Sequence, residues 1–379
     1  MSDIETIIIL ILLLMAVPDL CRLLGRPALA NAVFVMFGLC LGPILPLETG
    51  DMLKQAGKVG FLLVLFEVGL EIDLPRLRDF LPHLKFAIGW GIVQIPLVIG
   101  LAMVAGLNLP EATLAAAALT GCSVSMAYYG WKQYPGLSDP AREFLLQAMV
   151  ALEVLAIITL AVGSVAIERG FSWMIPVRLV GIAAVVFLIG RFASHLVKAF
   201  QIILEQTTHW RVHILVLLVL VVCALGERLG LSAAKTAFFL GLFMSRARHD
   251  GMSIEEYIAP ISRRFLIPIF FVSLGLLVDW RMLFTQTALL ALCGAFVLMG
   301  YRQAIHERWL KTGGDRNAYL LLCPNLTMVA LAATSLLHSE NREAATWVTL
   351  SGLFLSVASL MFLPRNKNGE DKPAPVPAA

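Results

Sequence analysis

Apolar runs of about 20 residues recur along almost the whole chain, separated by short polar stretches, and each is long enough to cross a bilayer core of roughly 30 Å as a helix. The pattern predicts thirteen spans, near 4–21, 28–45, 57–72, 84–107, 111–130, 143–167, 174–197, 210–226, 231–245, 260–278, 283–301, 317–337 and 344–364. The expectation is therefore an all-α polytopic membrane protein. The first run, "IETIIILILLLMAVPDL", has no basic leader and no small-residue cleavage site, so it is expected to stay as a span. With the N-terminus outside, the loops on the cytoplasmic side hold most of the 29 Lys and Arg, which predicts an N-out, C-in topology. The polar, proline-rich stretch 365–379 is expected to be a disordered cytoplasmic tail, with no folded module after the membrane part.

A repeat is visible inside the pattern. "FLLVLFEV" followed by "GLEIDLPRL" in the third span matches "FLIPIFFV" followed by "GLLVDWRML" in the tenth, with a two-residue slip between the halves. The copies are seven spans apart, an odd offset, so they cross in opposite directions, the arrangement of an inverted-topology repeat in secondary transporters. The fifth and twelfth spans form the matching pair. "LTGCSVSMAYYGW" and "LLCPNLTMVALAA" each interrupt an apolar helix with small or polar residues, and Pro324 removes a backbone donor. Both read as discontinuous helices that cross near the midplane, where their half-helix dipoles need compensating charge. The alternative is an ordinary small-residue packing face.

Composition narrows the classes. The chain is 59% hydrophobic and 15% charged, and its net charge of +3 points to no particular partner. Six single cysteines, Cys21, Cys40, Cys122, Cys223, Cys293 and Cys323, have neither metal spacing nor a pairing pattern. There is no phosphate-binding glycine loop, no metal-protease helix and no nucleophile triad, and His209 with His213 reads as an interfacial helix start. No enzymatic activity, cofactor, bound metal or nucleic-acid partner is expected.

One acid stands out. Glu153 lies in "MVALEVLAII", where a carboxylate at the centre of a membrane helix costs about 2.5–3.5 kcal/mol. Such a group can exchange a proton for Na⁺ or K⁺, because either occupant neutralises it. The alternative is a carboxylate that only fixes packing. Glu67 in the third span and Lys235 in the ninth are two further intramembrane charges, expected to pair with each other, or with Glu67 instead facing the cytoplasmic funnel.

The stretches "LGRPALANAVFVMFGLCLGPILP", "LFEVGLEIDLPRLR" and "ERLGLSAAKTAFFLGLFMSR" followed by "IPIFFVSLGLLVD" resemble the monovalent cation:proton antiporter superfamily, its second branch in particular. The resemblance implies two inverted six-span repeats joined by a linker helix. Residues 1–82 and 210–281 would form a dimerising panel, 83–168 and 282–364 a mobile transport core, and 169–209 the linker. It implies alternating-access exchange of a cation for protons by a homodimer in a bacterial inner membrane. Glu153 takes the position of the essential acid, while Leu152 replaces its usual Asp, Asn or Gln partner and cannot ligate a cation. Arg302 takes the place of a residue that neutralises the acid, or is an interfacial arginine that snorkels. Thr120, Ser123, Ser125, Asn325 and Thr327 correspond to the polar residues of the crossing helices. Leu152 also keeps open a same-fold symporter of a small organic or anionic solute, or a transport-inactive sensor.

Overall fold

The computed structural model describes residues 3–71, 77–123, 127, 131, 134–169, 211–228, 233–244, 248–249, 252–254, 258, 262–310 and 315–364. Within these the chain is helical apart from one two-residue strand pair, Arg248–His249 with Met252–Ser253. The helices are α1 (Asp3–Leu23), α2 (Ala30–Leu41), α3 (Leu47–Glu71), α4 (Leu77–Val104), α5 (Leu109–Thr120) and α6 (Asp139–Arg169). They continue with α7 (Arg211–Arg228), α8 (Ala233–Met244), α9 (Ile267–Leu277), α10 (Gln286–Trp309), α11 (Leu326–His338) and α12 (Arg342–Phe362). Each overlaps a predicted span, although α3 begins ten residues before the predicted 57 and α10 runs eight past the predicted 301, and the predicted linker helix at 174–197 lies outside the described residues.

Among the described residues, five stretches, in α1, α4, α6, α10 and α12, are long and apolar enough to cross a membrane by themselves. Large apolar side chains such as Ile8, Leu12 and Met15 on α1 and Leu289 and Phe296 on α10 point outward, as they must where the solvent is hydrocarbon.

Two glycine crossings organise one half of the molecule. On α2 and α9, a methyl group at Gly38 would fall on the Val272 carbonyl oxygen, and one at Gly275 on that of Val35. On α3 and α8, a methyl at Gly241 would fall on the Phe66 carbonyl oxygen and 3.0 Å from the Gly69 Cα. Only glycine lets two backbones approach so closely. The crossings are counterparts: the second and tenth spans meet as the ninth and third do, as two inverted copies of one unit require. α3 and α9, which carry the matched motifs, also pack against each other, with Phe61 stacked on Phe270 at 5.1 Å.

The other half is built from α4, α5, α6, α10, α11 and α12. α5 begins with a capping box, in which the Asn108 side chain accepts from the Glu111 N–H and Glu111 from the Asn108 N–H. The other Glu111 oxygen accepts from Asn341, which caps α12, so the starts of α5 and α12 are tied together. At the opposite end Tyr134 donates to Asp315 at 2.7 Å, and the His306 ring bonds the Asp315 carbonyl.

Candidate functional site

Both discontinuities expected from the sequence are present. α5 stops at Thr120, the backbone turns extended at Gly121 and is not helical over 121–123, while a 3₁₀ turn at Ala318–Leu321 is separated from α11 by residues 322–325. The two breaks touch: the Ser123 N–H donates to the Cys323 carbonyl at 3.1 Å, and the Cys122 thiol approaches the Leu321 carbonyl at 3.5 Å. Backbone groups freed by unwinding are thus partly satisfied across the crossing, which is what permits unwound chain at membrane depth.

α6 lies against this crossing, and Gly121 sets how closely: a methyl there would sit 2.7 Å from the Ala156 Cβ. One turn earlier on α6 is Glu153, which is 6% exposed. Its Oε1 accepts from the Asn325 side-chain amide at 2.7 Å. The Asn325 oxygen in turn accepts from the Thr327 N–H at 2.9 Å, making Asn325 the N-cap of α11. The carboxylate therefore stands at a helix N-terminus, where the macrodipole favours negative charge.

The negative ends of the dipoles are met by Arg302. Its side chain is 2% exposed, so the snorkelling position considered for it is not the one it adopts. The guanidinium donates to the Leu119 carbonyl at 2.7 Å and to the Leu322 carbonyl at 2.9 Å, one at each break, and Nε donates to Gln94 at 2.7 Å. None of these bonds runs to Glu153. Arg302 clamps the two carbonyl ends while Glu153 occupies the amide end, so the crossing holds one charge of each sign at the matching poles.

The remaining candidates divide. Thr120, Ser123 and Thr327 are buried at the breaks, with the Thr120 hydroxyl turned back to the Ala116 carbonyl at 2.6 Å. Ser125 lies outside the described residues. Leu152 is buried among apolar side chains and contributes no oxygen. Glu67 is buried on α3. α8, which carries Lys235, packs along α3, but the Lys235 side chain lies outside the described residues, as does any pairing with it. Among described residues no group of three or more His, Cys, Asp or Glu is arranged to hold a metal.

Gln94 was not singled out from the sequence. It is fully buried on α4 and holds Arg302 in place. A lone glutamine in an apolar span is the only signal it offers. A cleft of about 420 Å³ opens between α3, α9 and α11, lined by Asp51, Lys54, Lys58, Ser273, Thr334 and His338 among others. Phe61, Phe270, Leu274, Leu277 and Leu337 also line it, and His338, the last residue of α11, marks the end at which it lies.

This architecture defines a class: an all-α polytopic membrane protein in which two broken helices cross beside a buried carboxylate. Residues 8–311 match the sodium/hydrogen exchanger transmembrane family, and the chain belongs to that family. It is 26% identical over 269 residues to the Na⁺/H⁺-K⁺ antiporter GerN of Bacillus cereus, covering 68% of this chain and 67% of that one. It is 23% identical over 256 residues to the ammonium/H⁺ antiporter subunit AmhT of Alkalihalophilus pseudofirmus, covering 64% and 63% respectively. Among solved structures it shares the fold of the sodium proton antiporter MjNhaP1 from Methanocaldococcus jannaschii, with a TM-score of 0.66 and 14% identity over 95% of both chains. The family is one of membrane antiporters rather than enzymes.

Proposed function

We propose that the protein exchanges Na⁺ or K⁺ for protons by alternating access, with Glu153 as the carboxylate that the two occupants neutralise in turn. The observation that carries this reading is the Glu153 carboxylate, buried and bonded by the N-cap of a broken helix. A charged carboxylate is costly at membrane depth, and a proton or a monovalent cation removes that cost, so only the loaded site crosses readily. Asn325 supplies an oriented amide, and Thr120, Ser123, Thr327 and the unwound carbonyls supply oxygen suited to a hard cation. Arg302 serves as the compensating charge, held at the carbonyl ends of the two breaks.

In this reading residues 83–168 and 282–364 move as the transport core against the panel 1–82 and 210–281, the latter pairing with a second copy to form a homodimer. The N-terminus is outside, the C-terminus cytoplasmic, and the membrane a bacterial inner membrane. The test uses proteoliposomes loaded with a pH-sensitive dye. Adding Na⁺, K⁺ or Li⁺ should dissipate an imposed pH gradient, and Glu153→Gln should abolish this while leaving the protein monodisperse and folded. No response to any of the three cations from folded, monodisperse protein reconstituted in the vesicles would sink the exchanger reading; undiminished exchange by the variant would sink the role of Glu153.

A second reading, a symporter of a small organic or anionic solute on the same fold or a transport-inactive sensor, is favoured by the buried Leu152, an apolar residue at the position before the acid. A solute-dependent proton uptake in the same vesicles, without a cation response, is what it expects.

A further inference from the structure

A groove of about 450 Å³ runs along the face where α2 meets α10 and α12. Its lining is apolar throughout, with Met36 from α2, Ala295 and Phe296 from α10, and Leu353 and Met361 from α12. Met36, Phe296 and Met361 are also about half exposed, so the groove opens on the surface that faces hydrocarbon. Both Leu350 and Phe362 line it, which at 1.5 Å per residue gives a length of about 18 Å along α12. That is close to one leaflet of a bilayer whose hydrocarbon core is roughly 30 Å thick.

The groove holds about 450 Å³ over about 18 Å and is open along its side to the hydrocarbon, so an unbranched hydrocarbon chain laid along it meets only apolar side chains. What selects the occupant is the charge at one end, which a headgroup would use and a purely apolar partner helix would not.

Charge marks one end. Arg26 donates to the Leu360 carbonyl and, at 3.4 Å, to the Leu363 carbonyl, so its guanidinium sits where Met361 and Phe362 close the groove. Arg22 lies one turn away in sequence, and Arg365 and Lys367 follow α12 directly. Basic residues beside the end of a membrane helix attract anionic headgroups. We propose that this groove is a binding site for one acyl chain of an anionic phospholipid, with the phosphate at the Arg26 end and the chain running toward Leu283. The groove lies between α2, assigned above to the panel, and two helices assigned to the core, so its occupant sits in the plane where the two would slide. That bearing on exchange rests on the proposed function. The binding itself does not.

The experiment needs no transport. The purified full chain, in phosphatidylcholine vesicles, is irradiated with a trace of phosphatidylglycerol that carries a diazirine on one acyl chain, and the labelled peptides are mapped by mass spectrometry. Label is expected in peptides spanning 283–299 and 350–362 at several times the level on the lipid-facing α1, and excess unlabelled phosphatidylglycerol should compete it away there but not on α1. A probe with a choline headgroup should label the groove several-fold less. Ala295→Trp, which fills the groove, should remove most groove label and leave that of α1. Even labelling over all lipid-facing helices, no competition, or equal labelling by the two headgroups would overturn the proposal, and the first two comparisons need no variant to fold.

Discussion

The single amide of Asn325 faces two ways: its nitrogen donates to Glu153 and its oxygen caps α11. Asn325→Ala removes both bonds. The lost cap alone costs about 1 kcal/mol of helix stability, and the buried carboxylate loses a charge-assisted donor worth about 1.5–3 kcal/mol. The expected outcome is a lower thermal unfolding temperature in detergent together with at least a tenfold loss of cation-driven exchange. A variant that lost stability but exchanged normally would separate the cap from the site. At this scale the sequence was legible where a residue is costly. Glu153 stood out because an acid in hydrocarbon needs a reason, and Asn325 because it follows Pro324 in a broken run. Arg302 was visible but not its position, since a span boundary uncertain by several residues leaves depth undecided. Gln94 was hidden: its partner Arg302 is 208 positions away, and nothing local to α4 records that distance.

Among the elements, the close seating of α6 on the α5 break depends on Gly121. A methyl there would press on Ala156 at 2.7 Å, and overpacking of this kind costs about 1–3 kcal/mol. Gly121→Ala should therefore slow exchange and lower stability, and Ala156→Gly in the same chain should restore much of both, because it removes the carbon that is struck. Lack of rescue, scored by exchange rate and unfolding temperature, would place the effect in the extended backbone at 121 instead. Element positions were the most legible part of the fold, since hydrophobic length sets them, and the third and tenth spans betrayed their kinship through shared motifs. The Gly38–Gly275 and Gly69–Gly241 crossings were less so. A glycine in an apolar run marks a close approach without saying to which helix.

Over the whole molecule, polar ties sit at both ends of the broken-helix half: Glu111 with Asn341 at one, and Tyr134 with Asp315 at the other. Burial, reinforced by the hydrogen bond to Asp315, raises the Tyr134 phenol above its ordinary value near 10. A raised value favours the neutral form in the folded state, so the stabilisation is complete below pH ~10 and fades as pH climbs through the higher folded value. Tyr134→Phe should cost about 1 kcal/mol at neutral pH. The gap between the unfolding temperatures of wild type and variant should hold from pH 6 to 9 and narrow above pH ~10.

Leu152 has a consequence for energy supply. A site with one carboxylate carries the same charge with a proton bound as with Na⁺ or K⁺, so the outward and inward transits cancel and a full cycle moves no net charge through the field. A membrane potential is worth about 2.3 kcal/mol per charge per 100 mV, and here none of it would be available to drive the cycle. Exchange should run on the two concentration gradients alone. With vesicles set at 0 or about −100 mV by a thiocyanate gradient, and Na⁺ as the exchanged ion, the Na⁺ gradient at which net exchange stops should be unchanged, whereas a balance point that shifts with voltage would mean that a second charge travels with Glu153.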